Sequence, residues 1–184
     1  MDKIKFATVW LAGCSGCHMS FLDLDEFLID LAGLVDVVFS PVGTDLKNYP
    51  DGVDVCLVEG AIANEENLEL ALEIRRKTKT LISFGDCAVT ANVPAMRNMM
   101  GDKTAKPVLE RGYIELADEN PHFPNAPGIV PELLDRVLPV HEVIPIDIFM
   151  PGCPPSADRI RATLEPLLQG QSPEMVGREM IKFG

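Results

Sequence analysis

Four of the five cysteines in this 184-residue sequence fall just beyond short apolar runs, and that placement restricts the fold more than any other feature. Cys14 and Cys17 form a CxxC in Gly13-Cys14-Ser15-Gly16-Cys17, directly after the run at residues 6–11 (FATVWL). Cys87 follows residues 80–84 in Gly85-Asp86-Cys87, and Cys153 follows residues 147–150 in Pro151-Gly152-Cys153-Pro154-Pro155. Further apolar runs at residues 35–39 and 53–58 (VDVCLV) alternate with helical patterns, the signature of an α/β sheet. In an open parallel sheet the carboxyl ends of the strands line one edge, and ligands bind there at the topological switch point. The pattern therefore predicts that thiols far apart in the chain meet on one rim.

The intervening segments support an open, mostly parallel sheet with helices on both faces, built as a single domain over residues 1–184. Residues 20–31 place Phe21, Leu24, Phe27, Leu28 and Leu31 on one helical face. Asn64 is positioned to cap a helix running to about residue 79, with a stripe of Leu68, Ala71, Leu72 and Arg75 and a Glu73–Lys77 pair. Residues 88–100 read as a weaker helix that must tolerate Pro94. A last helix starts at Ser156 and carries Ile160, Leu164, Leu167 and Leu168, with Pro166 expected to kink or shorten it. Ten of the 15 prolines lie between Pro107 and Pro155. Residues 101–145 are accordingly expected to be largely ordered loop before the last strand, with a short helix near residues 131–137. Loops of that length usually carry function or bind a partner. Residues 170–184 read as a tail.

Sixteen basic against 28 acidic residues leave a net charge of −12, which disfavours nucleic acid and anionic membrane surfaces as partners. There is no apolar run of bilayer length and no secretory or twin-arginine signal, so the expected location is the cytoplasm. Structural disulfides are rare in that compartment, and four converging thiols there imply zinc or an iron–sulfur cluster. Structural zinc usually draws on two short-spaced pairs. A single CxxC joined by two isolated cysteines suits a bulkier 4Fe-4S cubane better, with zinc left open. Glycines beside the cysteines and the helix starts that follow would bring backbone amides and positive dipole ends toward an anionic cluster. Cys56, inside VDVCLV, reads instead as a core residue.

The segments VWLAGCSGCHMSFLDLDE, VEGAIANEENLE, SFGDCAVTANVPAMRN and FMPGCPPSADRI resemble the small subunit of nickel-iron hydrogenases. The likeness is strongest to the short subunit of the soluble NAD-reducing (bidirectional) hydrogenases. That resemblance implies a flavodoxin-like domain holding one proximal 4Fe-4S cluster on Cys14, Cys17, Cys87 and Cys153, with no bond-breaking catalytic site of its own. It also implies a large subunit bearing the nickel-iron site. Further iron–sulfur clusters, FMN and NAD would lie on iron–sulfur and flavin diaphorase subunits, the whole complex performing H2 + NAD+ → NADH + H+. The alternative is a subunit of a complex I-type quinone- or ferredoxin-linked oxidoreductase. That relative usually carries two adjacent cysteines where Ser15-Gly16 separates Cys14 from Cys17 here, which favours the hydrogenase.

Other residues invite plainer readings. His18 is either an ordinary first-turn residue or a hydrogen-bonding group beside the cysteines. Glu59 is expected to be a solvated or capping carboxylate. Met96, Met99 and Met100 are expected in the core, with a subunit-contact face as the alternative. Asp158, Arg159 and Arg161 are expected on a solvated face, and His122 and His141 at the surface. No phosphate-binding, dinucleotide, zinc-protease or hydrolase motif occurs, and no flavin is expected on this chain.

Overall fold

The structure is a computed structural model describing residues 3–184. Its strands are β1 (Ile4–Trp10), β2 (Val35–Phe39), β3 (Val53–Glu59), β4 (Ile62–Asn64), β5 (Thr78–Phe84), β6 (Leu133–Leu138) and β7 (Ile148–Met150). Its α-helices are α1 (Gly16–Leu22), α2 (Phe27–Leu34), α3 (Glu65–Lys77), α4 (Asp86–Thr90), α5 (Ala105–Glu110), α6 (Ala157–Leu168) and α7 (Arg178–Ile181). The main sheet runs β2-β1-β3-β5-β7 with every neighbouring pair parallel. Counted by its own strands this is the 2-1-3-4-5 order of flavodoxin-like doubly wound sheets, as expected.

Period-two alternation divides the strand side chains between two cores. One face buries Ala7, Val9, Cys56, Val58 and Leu81 against Ala71 and Ile74 of α3. The other buries Phe6, Leu57, Ile82, Phe84 and Met150 against Phe27 and Leu31 of α2 and Ile160 and Leu164 of α6. Fully burying one such large apolar side chain is worth about 1.5–3 kcal/mol, so both faces are committed and a one-residue slip of any strand is excluded. Cys56 lies in this core with no exposed surface.

Local signals explain the starts of the two longest helices. The Asn64 side chain accepts the Asn67 N–H at 2.8 Å, capping α3. Glu65 and Glu66 open that helix and Arg75, Arg76 and Lys77 close it, which complements its dipole. Lys77 reaches Glu73 at 2.7 Å, as the spacing implies. Ser156 caps α6 through the Arg159 N–H, and the helix continues past Pro166 to Leu168.

Several expectations need correction. The helix expected over residues 20–31 is two helices, α1 and α2, broken where Asp25 takes φ 49°. Its apolar stripe survives the break, since Leu24, Phe27 and Leu31 are all buried. The buried stripe of α3 is Ala71 with Ile74, while Leu72 is exposed. Residues 88–100 form the short α4 and then a 3-10 turn over Val93–Met100, because Ala91 and Asn92 adopt positive φ and Pro94 lacks an N–H. Within residues 101–145, expected as largely loop, lie α5 and β6. The helix anticipated near residues 131–137 is β6, a strand pairing antiparallel with β4.

Candidate metal centre

The register of the sheet builds the site. Trp10 pairs with Glu59, Glu59 with Phe84, and Phe84 with Met150, so the last residues of β1, β3, β5 and β7 form one row across the sheet. Cys14 and Cys17 leave the β1 end of that row, Cys87 the β5 end and Cys153 the β7 end. Between β1 and β5, the β3 end presents Glu59. All four predicted cysteines thus lie on one rim, and Cys56 lies below them in the core, as expected.

Hydrogen bonds tie the cysteine-bearing loops together. Ser20 Oγ in α1 donates to Pro155 O at 2.6 Å, joining the CxxC helix to the Cys153 loop. The Asp86 N–H donates to Gly152 O at 2.9 Å, joining the Cys87 turn to the same loop. Gly85 sits at φ 87°, and a Cβ there would overlap the Cys17 sulfur, so only glycine lets the Cys87 turn close over Cys17. The Gly16 N–H donates to Cys14 Sγ at 3.4 Å.

The thiols differ in exposure. Cys17 is buried, Cys87 half-buried, and Cys14 and Cys153 exposed. Burial first, then the charges of Glu59, Cys87, Cys14 and Cys153, push the Cys17 thiol far above its ordinary value. Cys87 is raised by burial and by Cys153, Cys14 and Glu59, while a hydrogen bond from the Val93 backbone pulls the other way. Cys17 and Cys87 are thus held protonated in part by their neighbouring thiols, and a bound cationic centre would relieve that resistance. Among the described residues, no three His, Cys, Asp or Glu side chains close on a single metal ion. Tetrahedral zinc needs all its donors about 2.0–2.3 Å from one centre, whereas a cubane offers a separate iron to each thiolate. An all-thiol donor set delivered by three loops to one rim, with glycine at position 85 where a side chain would strike the Cys17 sulfur, fits an iron–sulfur cluster.

Of the two roles expected for Glu59, solvated or capping, the structure shows the capping one. It is 1% exposed, and its Oε2 accepts the backbone N–H of His18 at 3.0 Å together with the ring Nδ1 of His18. His18 is itself buried, its ring edge against Phe84, and its Nε2 has no partner among the described residues. Glu59 thereby caps α1 from a neighbouring strand, where Ser15 makes no side-chain cap. The signal lay in the sequence, since β3 reads as a continuous buried run that ends on this carboxylate. Arg159 is likewise 8% exposed, contrary to expectation, whereas Asp158 and Arg161 are exposed. Met96, Met99 and Met100 are not core residues; Met99 is 82% exposed, and the three stand on the outside of the 3-10 turn. His122 and His141 are at the surface. No described helix is long and apolar enough to cross a membrane.

Residues 14–167 match the family described as the NADH ubiquinone oxidoreductase 20 kDa subunit. The delta subunit of the NAD-reducing hydrogenase HoxS of Cupriavidus necator is 41% identical over 175 residues, covering 92% of this chain and 80% of that protein. A subunit of the F420-non-reducing hydrogenase of Methanothermobacter marburgensis is 42% identical over 181 residues, 95% of this chain but 56% of its own length, so this chain spans little more than half of that relative. Among solved structures, an NAD+-reducing [NiFe]-hydrogenase in the H2-reduced state superposes with a TM-score of 0.91 at 36% identity over the full length of both chains. A [NiFeSe]-hydrogenase of Dm. baculatum aligns with a TM-score of 0.56 at 18% identity over 90% of this chain and 62% of that one, a likeness of fold alone.

Proposed function

Because the chain belongs to the family of the NADH ubiquinone oxidoreductase 20 kDa subunit, we propose that it is the electron-transfer small subunit of an NAD-reducing nickel-iron hydrogenase, holding a proximal 4Fe-4S cluster on Cys14, Cys17, Cys87 and Cys153. The observation that carries the reading is the row Trp10–Glu59–Phe84–Met150, which brings three cysteine-bearing loops to one rim. The full-length superposition on an NAD+-reducing [NiFe]-hydrogenase supports the choice of complex. In this reading a large subunit carries the nickel-iron site, and diaphorase subunits with iron–sulfur clusters and FMN reduce NAD in the cytoplasm, for the overall reaction H2 + NAD+ → NADH + H+.

A cluster bound here supplies one-electron transfer. The chain's own residues hold and tune it. Four thiolates ligate, amides such as Gly16 N–H approach the sulfurs, and burial of Cys17 keeps water from one side of the site. Glu59 keeps α1, and with it Cys17, fixed on the rim. In this reading bond breaking belongs to the partner.

The complex I-type alternative shares the family. The CxxC and the identity to hydrogenase subunits weigh against it. Anaerobic purification with the native partners, followed by iron, nickel and zinc analysis and electron paramagnetic resonance, separates the readings. The hydrogenase reading expects a nickel-containing partner, a reduced-cluster resonance, and about four fewer iron atoms per complex when a ligating cysteine is replaced. Colourless protein with zinc, or a partner without nickel, overturns it. Replacement of Cys14, Cys17, Cys87 or Cys153 by alanine is expected to remove or degrade the cluster, and Cys56→Ala to leave it. Cluster loss in Cys56→Ala with retention in Cys153→Ala would overturn the ligand set.

A further inference from the structure

Two buried charges fasten the Cys87 and Cys153 turns to each other and to residues 178–184. Asp86 opens α4 one residue before Cys87 and is buried. Its Oδ1 accepts the N–H of Gly152, one residue before Cys153, at 2.6 Å, and its Oδ2 accepts the N–H of Gly184 at 3.0 Å. Arg159, in the first turn of α6, donates from Nη1 to Pro151 O and, at 2.8 Å, to Lys182 O; its Nε donates to Glu179 O at 2.6 Å. Residues 178–184 consequently lie on the Cys153 turn, so tightly that a Cβ at Gly184 would overlap the Cys153 backbone.

Neither charge forms an ion pair among the described residues. Each is satisfied by backbone groups alone; Asp86 itself precedes Cys87, while its partner Gly152 and the Arg159 partner Pro151 precede Cys153. A buried charge is tolerated only when its hydrogen bonds are complete, so any shift of either turn is opposed by both residues at once. Asp86 also engages the Gly152 N–H, which would otherwise be free beside Cys153.

We propose that Asp86 and Arg159 are positioning residues for the cluster, locking the Cys87 turn, the Cys153 turn and residues 178–184 into one rim that fixes the two ligands. This rests on the ligand set proposed above. Asp86→Asn retains an acceptor for Gly152, sets an amide donor against Gly184 and removes a negative charge beside Cys87. Arg159→Lys keeps the charge but cannot span Pro151, Glu179 and Lys182 together.

The test uses the intact complex purified anaerobically, with wild type, Asp86→Asn, Arg159→Lys and, as a control on the exposed neighbour, Asp158→Asn. Three quantities are read: the rate of iron release to a chelator, the midpoint potential and the paramagnetic resonance g-values of the reduced cluster. Asp86→Asn and Arg159→Lys are expected to release iron ~10-fold faster or more and to change the g-values. Asp86→Asn should also shift the potential positive, because less negative charge opposes the incoming electron. Asp158→Asn should match wild type. Iron-loaded wild type with both variants indistinguishable from it overturns the proposal alone. Failure of both variants to fold also overturns it, placing the two residues in the fold and not in the tuning of the site. Cys87→Ala and Cys153→Ala variants that keep the wild-type iron content and cluster resonance defeat the ligand set first, which keeps the two failures apart.

Discussion

Glu59 and His18 meet beneath the cysteine rim, the carboxylate accepting both the backbone N–H of His18 at 3.0 Å and its ring Nδ1. The pair joins the end of a central strand to the first turn of the helix that carries Cys17. A buried N–H left without an acceptor costs about 1–3 kcal/mol. Glu59→Ala orphans two groups and is expected to destabilise the protein by about 2–5 kcal/mol. Glu59→Gln, which retains one acceptor, should cost less than half of that. Urea unfolding of the three proteins checks the order, and equal midpoints would refute the capping role.

Glycines at two places should respond in opposite directions. Gly85→Ala forces a side chain into a left-handed position against the Cys17 sulfur, and a loss of about 3 kcal/mol or more is expected. Gly33, in α2, has nothing within 4 Å of the position its Cβ would take. Gly33→Ala should gain about 0.5–1 kcal/mol by helix propensity. Thermal melts of the two variants against wild type decide both.

Removal of the α3 cap is expected to cost about 1 kcal/mol. Asn64 and Asn67 reciprocate, Asn64 accepting the Asn67 N–H at 2.8 Å and Asn67 accepting the Ala63 N–H at 3.2 Å. Asn64→Ala should therefore lower stability clearly, while Asn64→Asp, which keeps the acceptor, should not. Chemical denaturation at constant m-value is the measurement.

Alkaline stability should carry a signature of Cys56. Burial pushes this thiol up from 9.0 to about 12, with a hydrogen bond from Tyr49 acting weakly in the opposite sense. The folded state keeps the proton that the unfolded state gives up, so the thiol's contribution is complete below pH 9 and drains away as pH rises toward 12. The slope approaches ~1.4 kcal/mol per pH unit. Cys56→Ala lacks that loss. Its deficit against wild type, about 1–2 kcal/mol at pH 7, should narrow between pH 9 and 10.5 in parallel denaturation series. A constant gap would show that Cys56 ionises no differently in the two states.

The strands and the rim were legible because β-branched runs ending in glycine and cysteine report both burial and the turn that follows. Asn64 and Ser156 announced their helices for the same local reason. What escaped depended on partners distant in the chain. The segment Leu133–Leu138 becomes a strand only because Ile62 and Asn64 of β4 pair with it, and nothing within LLDRVL identifies that partner. Glu59, Asp86 and Arg159 look like surface charges in the sequence. Their burial follows from the strand order, which sets each against backbone groups of other loops. The methionines at positions 96, 99 and 100 kept helical spacing, but the 3-10 turn around Pro94 rotates them outward.

The row that joins Trp10, Glu59, Phe84 and Met150 has a kinetic consequence. Each parallel pairing demands a long crossover, so the rim forms through contacts distant in sequence, and its assembly should be slow relative to that of the individual helices. The rim is thus a product of long-range pairing, and a change that loosens any one of these pairings is felt at every loop the row carries.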